Sequence, residues 1–157
     1  MNEYAIARPL PVVARGMNAL QPVLALATRL YVSWQFLKSG YLKLTGWEST
    51  LALFRDEYRV PLLSPELAAV AGTAGELLFP VMVALGLYGR IGALGLSLVN
   101  VMAVVSYAHV LLAEGFEAAL AQHVLWGFML LVVIVYGPGT LSVDRMLSRG
   151  QTDARAR

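Results

Sequence analysis

The chain contains no cysteine. Disulfides, thiolate nucleophiles, iron–sulfur ligation and CxxC redox exchange are therefore excluded from its chemistry. Charge is scarce as well. Charged residues make up 14% of the 157 and hydrophobic residues 58%, against about 25% and 45–50% in an average soluble domain. The scarcity is concentrated. Aspartate, glutamate, lysine and arginine are missing between Glu76 and Arg90, between Arg90 and Glu114, and between Glu117 and Asp144. The last two gaps each exceed the ~20 apolar residues that span a hydrocarbon core. The length suits one domain. These absences together describe a polytopic, all-α membrane protein.

Along the chain, residues 1–18 read as a polar leader, and Pro9 and Pro11 argue against a packed helix there. Ala25-Leu26-Ala27 resembles a signal-peptide cleavage site, but Gln21-Pro22 interrupts the apolar run before it, so cleavage is not predicted. The first span runs from about Leu20 to Leu44. In it Arg29, Ser33, Phe36, Gly40 and Lys43 follow i, i+4, i+7, i+11, i+14, one helical stripe that should face inward. Lys38 lies off the stripe, where it can snorkel. Trp47, Leu51, Phe54 and Tyr58 then recur at helical spacing among charged residues, which predicts an amphipathic interfacial helix between spans one and two.

Ser64-Pro65-Glu66 starts the second span with an N-cap and a proline at the first helical position. Ala68/Gly72 and Ala71/Gly75 are small residues four apart, which let a neighbouring helix approach. Glu76 lies mid-span, and Pro80 removes the amide that would bond its carbonyl. A third span covers about Ile91 to Ala113, with Ala93, Ser97, Asn100 and Tyr107 on one face, and a fourth covers about Ala119 to Tyr136. Gly137-Pro138-Gly139 ends it, Ser142 is a candidate N-cap, and residues 148–157 read as a disordered basic tail. The domain proper is thus 19–147.

Topology follows from lysine and arginine. Arg8, Arg15, Arg90, Arg145, Arg149, Arg155 and Arg157 fall on one side, and Lys43, Arg55 and Arg59 on the other. That bias puts both termini in the cytoplasm of a bacterial inner membrane. It also accounts for the basic tail without invoking nucleic acid.

Three constellations carry chemistry. Arg29 and Glu76, both expected near mid-depth, would each cost about 3 kcal/mol alone at a helix centre, so pairing is the cheapest remedy. With Lys43 and Asn100 they form the expected buried polar network. An ion pair that only fixes helix register explains them; so does a polar pocket for a headgroup, a proton or a quinone. A small proton-coupled carrier would use Glu76, although a nearby arginine opposes the raised pKa this needs. His109 and His123 flank the third loop and are the candidate haem or metal ligands, but two imidazoles without thiolate or carboxylate partners make a poor closed site. Helix faces rich in small residues serve internal packing or homo-oligomerisation equally well.

From Arg29 to Leu147 the chain resembles the DoxX family of small four-helix bacterial membrane proteins. The resemblance is carried by Arg29, Phe36 and Gly40-Tyr41-Leu42-Lys43, by Glu76, and by Leu85-Gly86-Leu87 before Arg90. It ends with Gly137-Pro138-Gly139-Thr140-Leu141-Ser142-Val143-Asp144. Trp47 to Leu63, with His123-Val124-Leu125-Trp126-Gly127, is similar to a subgroup found beside metal-stress peptide clusters. The resemblance implies a four-helix transmembrane bundle. It also implies a non-catalytic subunit with a redox or stress-protein partner in the membrane or cytoplasm, facing quinone as its cofactor. The cysteine pairs of quinone-coupled four-helix relatives have no counterpart here.

Overall fold

The computed structural model describes residues 9–155, with side chains described for residues 13–149. The first eight residues of the expected leader and the last two of the tail lie outside this range. Every regular element among the described residues is helical.

The first helix, α1 (Pro9–Thr45), is 37 residues long, about 55 Å at 1.5 Å per residue. It starts in the expected leader, a correction to the sequence reading. Pro9 and Pro11 fall in the first helical turn, whose amides have no intrahelical partner to lose. Pro22 is also accommodated within the helix. Residues 13–20 are all exposed, so this stretch is helical but unpacked. Further on, Arg29, Ser33, Phe36 and Gly40 are buried and Lys38 is exposed, as the stripe requires.

The interfacial helix is α2 (Trp47–Asp56). It buries Phe54 against Ala68 and Ala69, and the Thr50 hydroxyl donates to the Lys43 carbonyl at 3.0 Å. Ser64 caps α3 (Pro65–Leu85) by accepting from the Leu67 amide at 3.4 Å. Gly86 closes α3 in the left-handed region (φ +64°), and the Leu87 amide reaches back to the Met82 carbonyl at 3.1 Å. A side chain at Gly86 would also collide with the Arg29 guanidinium and Ser142.

The expected third span is two pieces, α4 (Gly89–Ser106) and a single turn, α5 (Ala108–Leu111). The break has a long-range cause. The Arg59 amide, from the loop after α2, donates to the Ser106 carbonyl at 2.9 Å, and the Val110 amide bonds Tyr107 instead. Next comes α6 (Glu117–Tyr136), and after the Gly137-Pro138-Gly139 turn α7 (Val143–Arg155). Ser142 caps α7, accepting from the Arg145 amide at 3.3 Å. The expected disordered tail is therefore helical as far as Arg155.

α1, α3, α4 and α6 form a four-helix bundle in which α1 packs on α3, α3 on α4, α4 on α6, and α6 back on α1. Its core joins Val32, Phe36, Val83, Leu96, Leu130 and Val133. The bundle is inside-out by soluble standards. α6 has the highest mean hydropathy, 2.1, yet only 11% of its apolar window is buried. Such large exposed apolar faces do not persist in water. α3, α4 and α6 are long and apolar enough to cross a membrane, and α1, with its inward charges, is the least apolar of the four. The protein is a helical membrane protein.

Candidate functional site

Glu76 sits on the α3 face turned to α1, and Gly40 lets the two helices close on each other. A Cβ at Gly40 would lie 3.0 Å from the Glu76 Cβ. The partner of Glu76 is Lys43. Its Nζ lies 2.6 and 2.7 Å from the two carboxylate oxygens and also donates to the Ser39 Oγ at 3.1 Å. The side chains of Lys43 and Glu76 are only 14% and 8% exposed. Held this close in a poorly solvated place, each side chain fills the other's hydrogen-bonding needs.

The pairing of Glu76 with Arg29 does not form. Arg29 is fully buried three turns away, where Nη1 donates to the Val83 and Ala84 carbonyls at 3.3 and 3.2 Å and Nη2 to Leu141. These carbonyls belong to the last turn of α3 and to the segment before α7, so a cation there complements the negative helix end. Asp144 provides the mirror image. Its carboxylate accepts from the Tyr88 and Gly89 amides at 2.8 and 2.9 Å, at the positive start of α4. The two charges thus clamp both sides of the α3–α4 turn. The remedy for the carbonyl freed by Pro80 is not Arg29.

Asn100 bonds across to α6. Its amide nitrogen donates to the His123 carbonyl at 2.9 Å, and its Oδ1 lies 2.8 Å from the His123 Nδ1. Because the first contact fixes which end of the amide is oxygen, Nδ1 carries the hydrogen. The His123 ring stacks edge-on to Trp126 at 4.9 Å, and Trp126 in turn meets Phe36 at 5.5 Å. His109 has a separate partner, the Tyr107 ring at 5.5 Å. The two histidines are thus engaged by different neighbours. Among the described residues no cluster of three or more histidine, aspartate or glutamate side chains could hold a metal ion.

These elements surround a cavity of about 460 Å³ between α1, α3, α4 and α6, within the size range of small-molecule sites. Its wall is mainly apolar, with Lys43 and Glu76 as its charged points and Gln35, Ser39, Ser106 and His123 among its neutral polar ones. Trp126 also lines it, and its buried indole N–H has no partner among the described residues. Over the α2 end, Tyr58, Val60 and Leu63 form a roof. The Tyr58 hydroxyl is pushed up to about 12, first by burial and then by the nearby negative charge of Glu76, so it stays a neutral donor. The roof is tied down by the Arg59–Ser106 backbone bond and by the Tyr107 hydroxyl, which donates to Glu57 at 3.0 Å.

Of the residues named from the sequence, Lys43, Glu76 and His123 line this cavity and Arg29, Asn100 and His109 do not, and Trp126 and Tyr58 were not among the site residues named. Helical spacing marked Tyr58 as a membrane anchor, and nothing local distinguishes an anchor from a lid. No curated protein and no solved structure matches the chain. The family model for DoxX matches residues 24–110, more than half of the chain, from α1 through most of α5. The match takes in Arg29, Lys43, Glu76 and Asn100 but stops short of His123 and the Gly137–Asp144 segment. With its bundle architecture and a matched stretch of that extent, the chain belongs to the DoxX family.

Proposed function

We propose that this protein is a non-catalytic integral membrane subunit serving redox or metal- and oxidative-stress metabolism, with a quinone or lipid-headgroup site beside Lys43 and Glu76. One observation carries the reading: a mainly apolar cavity of about 460 Å³ whose wall holds a buried ion pair and a few neutral polar side chains. Such a combination of apolar volume and a few convergent polar groups is the usual form of a small-molecule site. The Ser39 hydroxyl on the wall meets Lys43, but that amine is engaged by both oxygens of Glu76, which favours binding over catalysis. The lysine and arginine distribution supports a bacterial inner-membrane location with both termini in the cytoplasm. The cavity then occupies the periplasmic half.

The rival reading, haem or metal on His109 and His123, draws no support from their separate partners. A proton-coupled carrier working through Glu76 would have to break its 2.6 Å contact with Lys43 in each cycle. The test is gentle detergent extraction followed by solvent extraction and chromatography of what copurifies. Quinone at near-equal stoichiometry is expected with the wild-type chain and not with the Lys43→Met/Glu76→Leu double variant. Equal quinone content in both would refute the proposal.

A further inference from the structure

The cavity has a side opening. α3 and α4 run antiparallel and are tightest where small residues meet large ones. A Cβ at Gly75 would come within 2.7 Å of Val99, and one at Gly92 within 2.8 Å of Met82. Ala71 lies one turn from Gly75 on the same face of α3, and it lines the cavity and is exposed. Opposite it on α4, Leu98 and Met102 also line the cavity, and Leu98 is 64% exposed. These residues touch both the cavity and the outside. Around them stand Val70, Val101 and Val105, all exposed and apolar. Hydrocarbon, not water, is the medium for such a rim. On the water side the cavity is bordered by the tied segment of Tyr58, Val60 and Leu63.

The wall also restricts the head of any occupant. Lys43 already serves Ser39 and both oxygens of Glu76, which uses its three hydrogens. The pair is neutral as a unit, and no second cation lines the cavity. An anionic head would therefore be buried without a counter-charge, a costly arrangement. What remains open on the wall are neutral donors, the Tyr58 hydroxyl and the Gln35 amide, and the unused lone pairs of Glu76 as acceptors. Those suit a carbonyl or a hydroxyl.

Building on the cavity reading above, we infer that the site is loaded laterally from the bilayer, through a portal between α3 and α4 rimmed by Ala71, Leu98 and Met102. The occupant is an uncharged amphiphile with a carbonyl- or hydroxyl-bearing head. Its head lies against Glu76 while its tail leaves through the portal. This excludes phosphate-bearing lipid heads from the cavity.

The test uses Trp126 as reporter in the full chain carrying Trp34→Phe and Trp47→Phe, reconstituted in zwitterionic lipid vesicles. The probes are methyl 5-doxylstearate and 5-doxylstearic acid, nitroxide quenchers that differ in head charge at alkaline pH. Saturable quenching by the ester is expected at an affinity at least about tenfold better than that of the acid, a factor worth 1.4 kcal/mol. Ala71→Phe should slow quenching and its reversal together by about tenfold, because plugging a doorway acts on entry and exit alike. Leu98→Phe, on the opposite rim, is the second variant and should act likewise. Equal affinity for ester and acid would overturn the uncharged head. Unchanged rates in both plugged variants would overturn the portal while leaving the site in place. Absence of saturable quenching by either probe with the portal intact would instead remove the cavity reading itself.

Discussion

Lys43 and Glu76 are 2.6 Å apart with little solvent around them, and a pair so placed is costlier to halve than to delete. Removing one partner of a buried pair leaves an uncompensated charge, a penalty on the order of 3 kcal/mol, whereas replacing both by apolar residues is often close to neutral. Glu76→Leu alone is accordingly expected to lower stability in detergent by about that amount, and Lys43→Met/Glu76→Leu to recover most of it. Denaturant unfolding followed by circular dichroism measures both; a double variant no more stable than the single one would contradict the pairing. The sequence made Glu76 legible as a buried acid and the Arg29–Lys43 stripe as its source of an answer, but it selected the wrong cation. Choosing between two cations on one stripe is a question of axial register. Gly40 lies against Glu76, and Arg29 against the end of α3, so α1 is displaced along its axis relative to α3. α2 fills the overhang this creates at the start of α3 by seating Phe54 on Ala68 and Gly72. That packing is long-range, and no local spacing encodes it.

At the scale of elements, what local chemistry controls was readable and what distant backbone controls was not. The Ser64–Pro65 start of α3, the amphipathic α2 and the stop at Gly137 follow from residues adjacent in sequence. The break at Tyr107 follows from Arg59, nearly fifty residues earlier, and so escaped. The leader prolines misled in a different way, because proline breaks a helix interior and is harmless in a first turn. The α3–α4 turn yields a prediction at this level. Asp144 satisfies two otherwise orphaned amides at the start of α4, a service comparable to an N-cap and worth about 1–2 kcal/mol. Asp144→Ala should cost that much stability. It should also speed hydrogen exchange at the Tyr88 and Gly89 amides, with little change in exchange within α6. Uniform acceleration through all four long helices would show instead that the clamp acts on the whole bundle.

For the whole molecule, the cysteine-free sequence is a ready background for mapping sidedness. Ser49, exposed on α2, and Met146, exposed on α7, lie at opposite ends of the bundle. Ser49→Cys is expected to react with a membrane-impermeant maleimide in intact spheroplasts, and Met146→Cys only after permeabilisation. The reverse pattern would place the termini outside. Arg29 adds a constraint on how the bundle is made. Its guanidinium bonds to Leu141, a residue 112 positions later, and the turn it grips is capped by Asp144. During synthesis, then, α1 enters the bilayer carrying a cation whose last ligands have not yet been translated. A ribosome that stops between α6 and Leu141 leaves a bundle with all four long helices present and Arg29 short of one carbonyl.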